Sequence, residues 1–398
     1  MVFPEYVAFT LDRLEENGYT AYLVGGCVRD SIMGIEPYDF DVTTNATPEQ
    51  IEKCFFDVKT LDIGKKHGTI SIVFDKEIVE VTTYRIDGEY KDSRHPESVT
   101  FTDKIEDDLS RRDFTMNAIA YSPKRGFVDP FCGRQDIEKK IIRCVGNPRV
   151  RFEEDALRIM RGLRFASRLG FEIEKDTSDA IFEKKHLLLN VALERINSEL
   201  AGILCGSYAA SVLRNYFEVI KTIIPKLSEI CFDALLRSAD FSLTVKLCLL
   251  FYKYSDRDNL SNELKRLKFD GNTVKTVTAL LEFSDGYAEK WNDKDVKRAV
   301  SKIGELYTNQ LYPLLYCIHG DNRYMDAHRK FRIFEEQREC MTLSALDVKG
   351  NEIIDLLNIN PSKTGHILSL LLDDVIEEII PNKKSALLER AKHYTGID

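Results

Sequence analysis

The sequence contains no hydrophobic segment that could cross a membrane, because no run approaches the roughly 20 apolar residues that a spanning helix needs. The first twenty residues lack the basic segment that opens a secretory signal, and their spacing of apolar residues is typical of an amphipathic helix. Low-complexity tracts are also missing. We therefore expect a cytoplasmic protein without a membrane partner.

Cysteine and histidine do not form the pairs that hold metals or disulfides. The nine cysteines are scattered singly, no Cys-x-x-Cys pair occurs, and none of the seven histidines stands at a metal-ligand spacing from a partner. These absences argue against zinc-ribbon and thioredoxin-like sites. We expect most of the cysteines to be small core residues in a reducing compartment.

Length and composition indicate a globular protein of more than one domain. The chain has 398 residues, of which 43% are hydrophobic and 30% are charged, and this is too long for one ordinary core. The net charge of −9 counts against nucleic-acid binding as a bulk property. Any such binding would need a local basic patch.

The first part of the chain differs in pattern from the rest. Up to about residue 145, helical segments alternate with β-branched runs, which predicts an α/β or α+β domain. Thr47 and Pro48 have the pattern of a helix N-cap and a first helical position. From about residue 150 helical patterns dominate, so we expect a helical region of two or three subdomains. The strand-like runs are AYLVGG, YDFDVTT, TISIVF and EIVEVTTYR.

Two aspartates, Asp39 and Asp41, lie one residue apart in the strand-like run YDFDVTT. Residues i and i+2 of a strand point to the same face, so the two carboxylates are expected to project together. Such a pair is unfavourable unless a cation bridges it, and oxygen ligands suit Mg²⁺. The alternative is a pair of solvated charges, which is our interpretation of the same spacing at Asp256 and Asp258 and at residues 293 and 295.

A possible phosphate-binding turn precedes these aspartates. Gly25 and Gly26 follow the strand AYLV and precede a short predicted helix, Cys27 to Met33, with Arg29 in its first turn. Glycines let backbone N–H groups approach phosphate, and a helix N-terminus favours anions. The alternative is a tight turn with a surface arginine. Within twenty residues, a phosphate cradle and a metal pair support one another.

A third carboxylate, Glu80, lies between Val79 and Val81 in an otherwise apolar strand. A buried charge at this position would need a partner. A metal shared with Asp39 and Asp41 would supply one, and a salt bridge with Arg85 is the competing explanation.

The segment Glu153 to Leu169 is predicted to be one amphipathic helix. At about 100° per residue, its apolar residues fall within one arc and its arginines on the other side. Four arginines with only Asp155 nearby would repel one another unless an anion lay among them, and solvated surface arginines are the alternative. The apolar arc holds Ala156, Ile159, Met160, Leu163 and Ala166, and the basic side holds Arg158, Arg161, Arg164 and Arg168.

Taken in order along residues 20–170, six motifs resemble the class II CCA-adding enzymes and bacterial poly(A) polymerases of the DNA polymerase β nucleotidyltransferase superfamily. The motifs are GGCVRD with DFD; GKKHGTISIVF; EVTTYRIDGEYKDSRHPESVTF; RRDFTMNA; VDPFCGRQDI; and RFEEDALRIMRGLRF. The resemblance implies an α+β head with a mixed five-stranded sheet, followed by an all-helical region. Its expected divisions are a nucleotidyltransferase head (1–140), a neck with the base-selecting helix (141–205), a body (206–330) and a tRNA-binding tail (331–398).

The resemblance also implies roles for individual residues. Asp39 and Asp41 would hold magnesium ions and, with Glu80 as a third carboxylate, act as catalytic residues in a two-metal nucleotidyl transfer. Asp113 and Asn117 would support the pocket or contact ribose. The implied nucleotide-binding residues are Gly26, Arg29, Arg112, Asp155, Arg158, Arg161 and Arg164.

Asp155 and Arg158, expected one helical turn apart, can act together on a nucleobase. A carboxylate only accepts hydrogen bonds and a guanidinium only donates them. This pair suits an exocyclic amine beside an unprotonated ring nitrogen, as in cytosine and adenine, whereas uracil and guanine present the opposite pattern. The predicted substrates are therefore CTP and ATP, with no nucleic-acid template.

Three active members of the family remain open: a full CCA-adding enzyme, an A-adding half-enzyme and a poly(A) polymerase. The GKKHGTISIVF motif resembles the CCA-adding version, and the segment Tyr84 to Val99 resembles the flexible loop that permits A addition. CC-adding enzymes lack this loop, so that half-enzyme is disfavoured. An inactive RNA-binding relative is the non-enzyme alternative, and the presence of both Asp39 and Asp41 argues against it.

The expected partner is tRNA, bound through its acceptor and T arms by shape and phosphate contacts. Candidate contacts are the basic stretches Lys139 to Arg151 and Asn382 to Tyr394, although either could equally be solvated helix surface. The oligomeric state is left open between monomer and homodimer.

Overall fold

The computed structural model describes residues 1–62, 64–88, 99–286 and 290–395. The chain divides into two compact units, Met1–Pro225 and Lys226–Asp398. Most of the predicted flexible loop, residues 89–98, lies outside the described residues. The finer division into head, neck, body and tail stays a prediction.

The first unit contains all eleven described strands and the first eleven helices. The strands are β1 Ala21–Val24, β2 Asp41–Thr44, β3 Lys59–Leu61, β4 Thr69–Phe74, β5 Glu77–Thr83, β6 Arg85–Asp87, β7 Val99–Phe101, β8 Ala120–Ser122, β9 Gly126–Val128, β10 Ile141–Ile142 and β11 Glu172–Ile173. The helices are α1 Glu5–Glu16, α2 Gly26–Ile32, α3 Pro48–Cys54, α4 Ile105–Ser110, α5 Gly133–Glu138, α6 Pro148–Glu154, α7 Leu157–Leu169, α8 Lys175–Lys184, α9 Leu193–Cys205, α10 Ala209–Asn215 and α11 Phe217–Ile223.

The second unit is helical throughout its described residues. Its helices are α12 Phe232–Arg237, α13 Leu243–Phe251, α14 Leu260–Arg266, α15 Gly271–Ser284, α16 Asp293–Ile303, α17 Glu305–His319, α18 Arg323–Glu336, α19 Gly350–Leu357, α20 Pro361–Ile376 and α21 Lys384–Thr395. The last three helices enclose a core of their own around Ile353, Leu371 and Leu387. Across the described ranges, no helix is long and apolar enough to cross a membrane.

Seven strands of the first unit form one mixed sheet in the order β3-β4-β5-β2-β1-β8-β9. Every neighbouring pair is antiparallel except β2 and β5, which run parallel with Asp41 opposite Glu80. The predicted fold class is confirmed, and the sheet has seven strands where five were expected. Strands β3, β8 and β9 have three residues each, which is too short for a periodic pattern to reveal.

Burial explains why the central strands form where they do. All four residues of β1 are buried, which is typical of a strand covered on both faces. In β5, Val79, Val81 and Thr83 are buried while Ile78 and Glu80 are exposed, so this strand alternates. The predicted start of α3 is confirmed, since Thr47 is the N-cap, Pro48 is the first helical residue, and Gln50 completes a capping box.

All nine cysteines are free thiols. Cys27, Cys54, Cys144, Cys248 and Cys317 are buried, which agrees with the expected role of most cysteines as small core residues.

Candidate active site

A polar cavity of about 540 Å³ lies in the first unit. Its lining includes eight arginines and four aspartates, so cations predominate and the cavity suits an anion. Every predicted nucleotide-binding residue lines it, together with Asp39, Asp41, Asp113 and Asn117. The full lining is Gly25, Gly26, Arg29, Asp39, Asp41, Arg111, Arg112, Asp113, Asn117, Asp155, Leu157, Arg158, Arg161, Arg164, Phe165, Arg168 and Arg195.

Gly25 forms the turn between β1 and α2 in a conformation that favours glycine. Its φ is +78° and its ψ is −131°. A Cβ atom here would lie 3.2 Å from Nη1 of Arg112 and 4.0 Å from Oδ2 of Asp41. Glycine therefore allows the backbone to pass close to the predicted metal-binding carboxylate.

The two predicted metal ligands lie at the start of β2, which begins at Asp41. Asp39 is exposed and precedes the strand, while Phe40 between them is buried. Burial, joined by the negative charges of Asp39 and Glu80 and opposed by Arg112, raises the pKa of the Asp41 carboxyl to about 6. A cation bound by Asp39 and Asp41 would relieve this repulsion, and the all-oxygen donor pair suits Mg²⁺.

The expectation that Glu80 carries a buried charge is wrong, because its side chain is exposed. Strand β5 alternates at this point, and Glu80 shares a sheet face with its neighbour in register, Asp41. Arg85, the alternative partner, donates a hydrogen bond to the carbonyl of His67. Among the described residues, no group of three or more His, Cys, Asp and Glu side chains is arranged to hold a metal. The role of Glu80 as third carboxylate stays a prediction.

Arg29 belongs to a buried polar chain that links three parts of the sequence. Its guanidinium lies 2.7 Å from Asp30 Oδ1 and donates to Asn117 Oδ1 at 2.8 Å. The Asn117 amide donates to Asp113 Oδ1 at 3.0 Å, and Arg161 donates to Asp113 Oδ2 at 2.8 Å. Asp113 and Asn117 thus support the cavity by fixing two of its arginines, as one of the two predicted roles required.

The ring of Phe165 has three guanidinium groups around it. The Cζ atoms of Arg164, Arg29 and Arg161 lie 4.5, 5.1 and 5.5 Å from the ring centroid. Phe165 is buried and contacts the ring of Phe114 edge to face at 5.9 Å between centroids. An aromatic face attracts cations, so this ring helps to hold mutually repelling arginines together.

Arg111 and Arg112 share one wholly buried carboxylate, that of Asp108 on α4. Arg111 Nη2 lies 2.7 Å from Asp108 Oδ1, and Arg112 Nη2 lies 3.1 Å from Oδ2. Thr43 on β2 also donates to Oδ2, at 3.3 Å. Asp108 therefore ties both arginines of the RRDFTMNA motif to the strand that carries Asp41.

The predicted helix Glu153 to Leu169 is interrupted at Asp155, and this part of the prediction is wrong. Helix α6 ends at Glu154, Asp155 is extended with φ −143° and ψ 101°, and α7 begins at Leu157. The Asp155 side chain accepts a hydrogen bond from the Leu157 N–H at 3.0 Å, which competes with a continuous helix. The predicted apolar arc is confirmed, since all five of its residues are buried.

Asp155 and Arg158 both line the cavity, but each is held by other groups. Asp155 Oδ2 accepts from Arg195 Nη2 at 2.8 Å. Arg158 is buried and donates to Glu154 at 2.6 Å and to the carbonyl of Arg111 at 3.0 Å. The structure thus places the two predicted base-reading residues in the cavity. Asp155 lies just before α7, and its backbone carbonyl accepts from the Arg158 N–H at 3.0 Å, so the two residues are one turn apart as expected.

The expectation that the arginines of α7 have only one acid nearby is also wrong. Arg158 pairs with Glu154, Arg161 pairs with Asp113 at 2.7 Å, and Arg164 pairs with Glu199 at 2.6 Å. Glu154 lies in the predicted helix four residues before Arg158, a spacing from which this pair could have been predicted. Asp113 and Glu199 are far away in sequence, so the helical pattern could not reveal them.

Several residues at or next to the cavity were not predicted from the sequence. Asp108 stands three and four residues before Arg111 and Arg112, a helical spacing from which both ion pairs could have been predicted. Arg195 and Phe165 have no comparable signal, because they resemble ordinary residues of amphipathic helices.

Family models match most of the chain. The model described as "Poly A polymerase head domain" matches residues 21–143, and "Probable RNA and SrmB- binding site of polymerase A" matches residues 170–230. "tRNA nucleotidyltransferase domain 2 putative" matches residues 242–391. The matches to the first and third models agree with the resemblance that the motifs carry.

Similar proteins are named CCA-adding enzymes. That of Ligilactobacillus salivarius is 33% identical over 397 residues, which covers 96% of this chain and 94% of that protein. That of Geobacillus thermodenitrificans is 46% identical over 218 residues, 54% of either chain. The crystal structure of the Bacillus stearothermophilus CCA-adding enzyme in complex with CTP matches with a TM-score of 0.81 and 29% identity, over 99% of this chain and 98% of that one. The chain therefore belongs to the CCA-adding enzymes, a family of nucleotidyltransferases.

Proposed function

We propose that the chain is a template-independent tRNA nucleotidyltransferase that adds and repairs the 3′-terminal CCA of tRNA, using CTP and ATP and releasing pyrophosphate. The observation that carries the proposal is one cavity lined by both Asp39 and Asp41 and by eight arginines. Carboxylates for a metal and cations for an anion are the combination that a metal-bound nucleoside triphosphate requires. Membership of the family supports the same reading.

Magnesium is the proposed cofactor, held by Asp39 and Asp41. When bound there, Mg²⁺ supplies the positive charge that activates the 3′-hydroxyl of the RNA and stabilises the departing pyrophosphate. The protein's own part is to keep the two carboxylates together, and the burial of Phe40 between them fixes that short segment. No side-chain nucleophile is needed.

The triphosphate would be bound by arginines that the fold has already positioned. Arg29 and Arg161 are held through Asn117 and Asp113, and Arg112 is held by Asp108. The buried Nε of Arg112 has no hydrogen-bond acceptor in the part of the chain that the structure describes. A phosphate oxygen would supply one, which favours Arg112 as a direct contact.

Base selection is assigned to Asp155 and Arg158. An ionised carboxylate accepts the exocyclic amine of cytosine or adenine, and a guanidinium donates to the unprotonated ring nitrogen. Uracil and guanine would bring a carbonyl toward the carboxylate and a ring N–H toward the guanidinium. Each unmatched buried group costs about 1–3 kcal/mol, so both bases would be rejected.

The RNA substrate is proposed to be tRNA, bound through its acceptor and T arms. Several cations of the two candidate stretches are paired within the protein. In the first stretch, Arg149 pairs with Asp176 and Arg143 with Glu174, and in the second, Lys384 pairs with Glu352. RNA phosphates would have to compete with these acids, so we expect binding that weakens strongly with salt.

The experiment uses purified protein with tRNA that ends at the unpaired discriminator base, at C, or at CC. Each labelled triphosphate is supplied singly, then CTP together with ATP, and products are read at nucleotide resolution. Addition of C, C and A followed by a stop supports the proposal. Addition only to the CC-ended tRNA would make the chain an A-adding half-enzyme, and a long ladder of A would make it a poly(A) polymerase.

The same assay distinguishes the non-enzyme alternative from an active enzyme. An inactive RNA-binding relative would bind tRNA and incorporate no triphosphate with Mg²⁺ present. Incorporation that disappears in Asp39→Ala would exclude this alternative and also a contaminating enzyme.

A further inference from the structure

The carboxylate of Asp155 accepts hydrogen bonds from Arg195, which lies on α9. Arg195 Nη2 lies 2.8 Å from Oδ2 and Nη1 lies 3.4 Å from Oδ1. Both side chains are largely buried and line the cavity. A two-point contact of this kind fixes the plane of the carboxylate as well as its position.

Helix α9 is a firm support for this contact because it packs closely along α7. Arg164 pairs with Glu199, and the Ser167 hydroxyl donates to the carbonyl of Ile203 at 2.6 Å. A Cβ atom at Gly202 would lie 2.5 Å from Cδ of Arg164, so the two helices approach as closely as glycine permits. Arg195 therefore acts from a helix that the contacts of Arg164 and Ser167 hold against α7.

The hydrogen bonds within the protein leave few acceptor positions on Asp155 for a nucleobase. A carboxylate offers about four acceptor positions. Oδ1 accepts from the Leu157 N–H and, more weakly, from Arg195 Nη1, while Oδ2 accepts from Arg195 Nη2. One acceptor position is left, on Oδ2, and its direction is set by Arg195.

We propose that Arg195 is a positioning residue for base selection, which orients Asp155 so that a single acceptor position faces the nucleobase. This inference rests on the proposed function, since it concerns how the same cavity chooses CTP and ATP. A fixed acceptor receives the exocyclic amine of cytosine or adenine and repels the carbonyl of uracil or guanine. Without Arg195, only the Leu157 N–H would hold the carboxylate, which could then turn away from a carbonyl.

The test compares Arg195→Met with the wild type by measuring kcat/KM for CTP and for UTP on C-ended tRNA. We expect the preference for CTP over UTP to fall by about tenfold, which corresponds to losing one enforced mismatch. Arg195→Lys keeps the charge but has a single donor nitrogen, so it cannot make the two-nitrogen contact and should restore only part of the preference. A merely structural role for Arg195 would lower both values of kcat/KM together and leave their ratio unchanged.

A matched control is Arg13→Met, since Arg13 grips Asp57 by two nitrogens in the same unit but outside the cavity. Its CTP to UTP ratio should equal that of the wild type. If Arg195→Met does not fold, as judged by circular dichroism, the ratio for Arg195→Lys decides the question.

A double variant tests whether Arg195 acts through Asp155. Adding Arg195→Met to Asp155→Asn should not change the CTP to UTP ratio of kcat/KM any further. Arg195 acts on the Asp155 carboxylate, which the first substitution has already removed. A ratio that stays at the wild-type value in both Arg195 variants overturns the inference while leaving the proposed function intact. A wild-type protein that incorporates neither C nor A would overturn the proposed function itself.

Discussion

Asp108 is wholly buried and lies 3.1 Å from the guanidinium of Arg112, although neither residue belongs to the segment that carries Asp39 and Asp41. Burial alone would raise the pKa of the Asp108 carboxyl, but Arg112 and Arg111 outweigh it and hold the pKa below its usual range. The carboxylate is therefore charged at neutral pH. It holds Arg112, which lines the cavity, although Asp108 itself does not line it.

Replacing this charge should impair both stability and triphosphate binding. In Asp108→Asn, the shape is kept but the two arginines lose their counter-charge, which should cost about 1–3 kcal/mol of unfolding free energy. Because Arg112 is no longer held, we expect KM for CTP to rise about tenfold, the equivalent of one charge-assisted hydrogen bond. Steady-state kinetics and urea unfolding measure the two effects. Glu106→Gln, an exposed carboxylate on the same helix, should change neither.

The same pair predicts a pH dependence with a defined sign. A carboxyl whose pKa is lower in the folded state than in the unfolded state stabilises the fold above its unfolded pKa, about 3.9 for aspartate. That stabilisation disappears as the pH falls toward the lower, folded-state pKa. The difference in unfolding free energy between wild type and Asp108→Asn should thus be constant from pH 7 to about pH 5 and shrink below about pH 4. A difference that stays unchanged at low pH would contradict the assignment.

Several features of the first unit could be predicted from the sequence because their signals are local. The glycine turn, Asp39, Asp41 and the apolar arc of α7 each follow from the spacing of neighbouring residues. The segment proposed to read the base was harder to predict from the sequence. Asp155 breaks a helix that the periodicity favours, because its side chain competes for the Leu157 N–H.

The partners of the arginines could not be predicted because they are contacts between distant parts of the chain. Arg161 finds Asp113, and Arg195 finds Asp155, over separations of 48 and 40 residues. A helical projection displays only charges of its own helix, so Arg161 appeared to need an external anion. The short strands β3, β8 and β9 were missed for a related reason, since neighbouring strands rather than local patterning stabilise them.

Loss of either proposed metal ligand, Asp39 or Asp41, should abolish transfer without unfolding the protein. For Asp39→Asn and Asp41→Asn, we expect kcat to fall by about 10³-fold or more, since several kcal/mol of metal-dependent stabilisation are lost. Incorporation of labelled CTP into tRNA measures the rate, and thermal melting checks the fold. Asp258→Asn alters an exposed aspartate with the same Asp-x-Asp spacing and should retain full activity. Full activity in Asp39→Asn would contradict the site.

Gly25 should not tolerate a side chain. Gly25→Ala combines an unfavourable positive φ with a contact of 3.2 Å to Arg112, so we expect a stability loss of about 1–3 kcal/mol together with reduced activity. Gly18→Ala is the matched control, because Gly18 also has a positive φ of +88° but nothing within 4 Å of the added atom. Strain alone would affect the stability of both variants, while loss of activity should be confined to Gly25→Ala.

The ring of Phe165 is expected to matter through its face rather than its volume. Phe165→Leu keeps an apolar side chain but removes the surface around which Arg29, Arg161 and Arg164 gather. Each such contact is worth about 0.5–2 kcal/mol, so the arginines should become less ordered and KM for both CTP and ATP should rise several-fold. The effect on kcat should be smaller, because the recorded ring contacts of Phe165 are with arginines and Phe114 rather than with the proposed metal ligands. Phe9→Leu removes the comparable contact of Arg13 with an exposed ring, 4.5 Å away and outside the cavity, and should leave KM unchanged. Equal changes in KM for the two variants would mean that the ring of Phe165 acts only through general stability. A change confined to Phe165→Leu would identify Phe165 as the residue that orders the arginines proposed to bind the triphosphate.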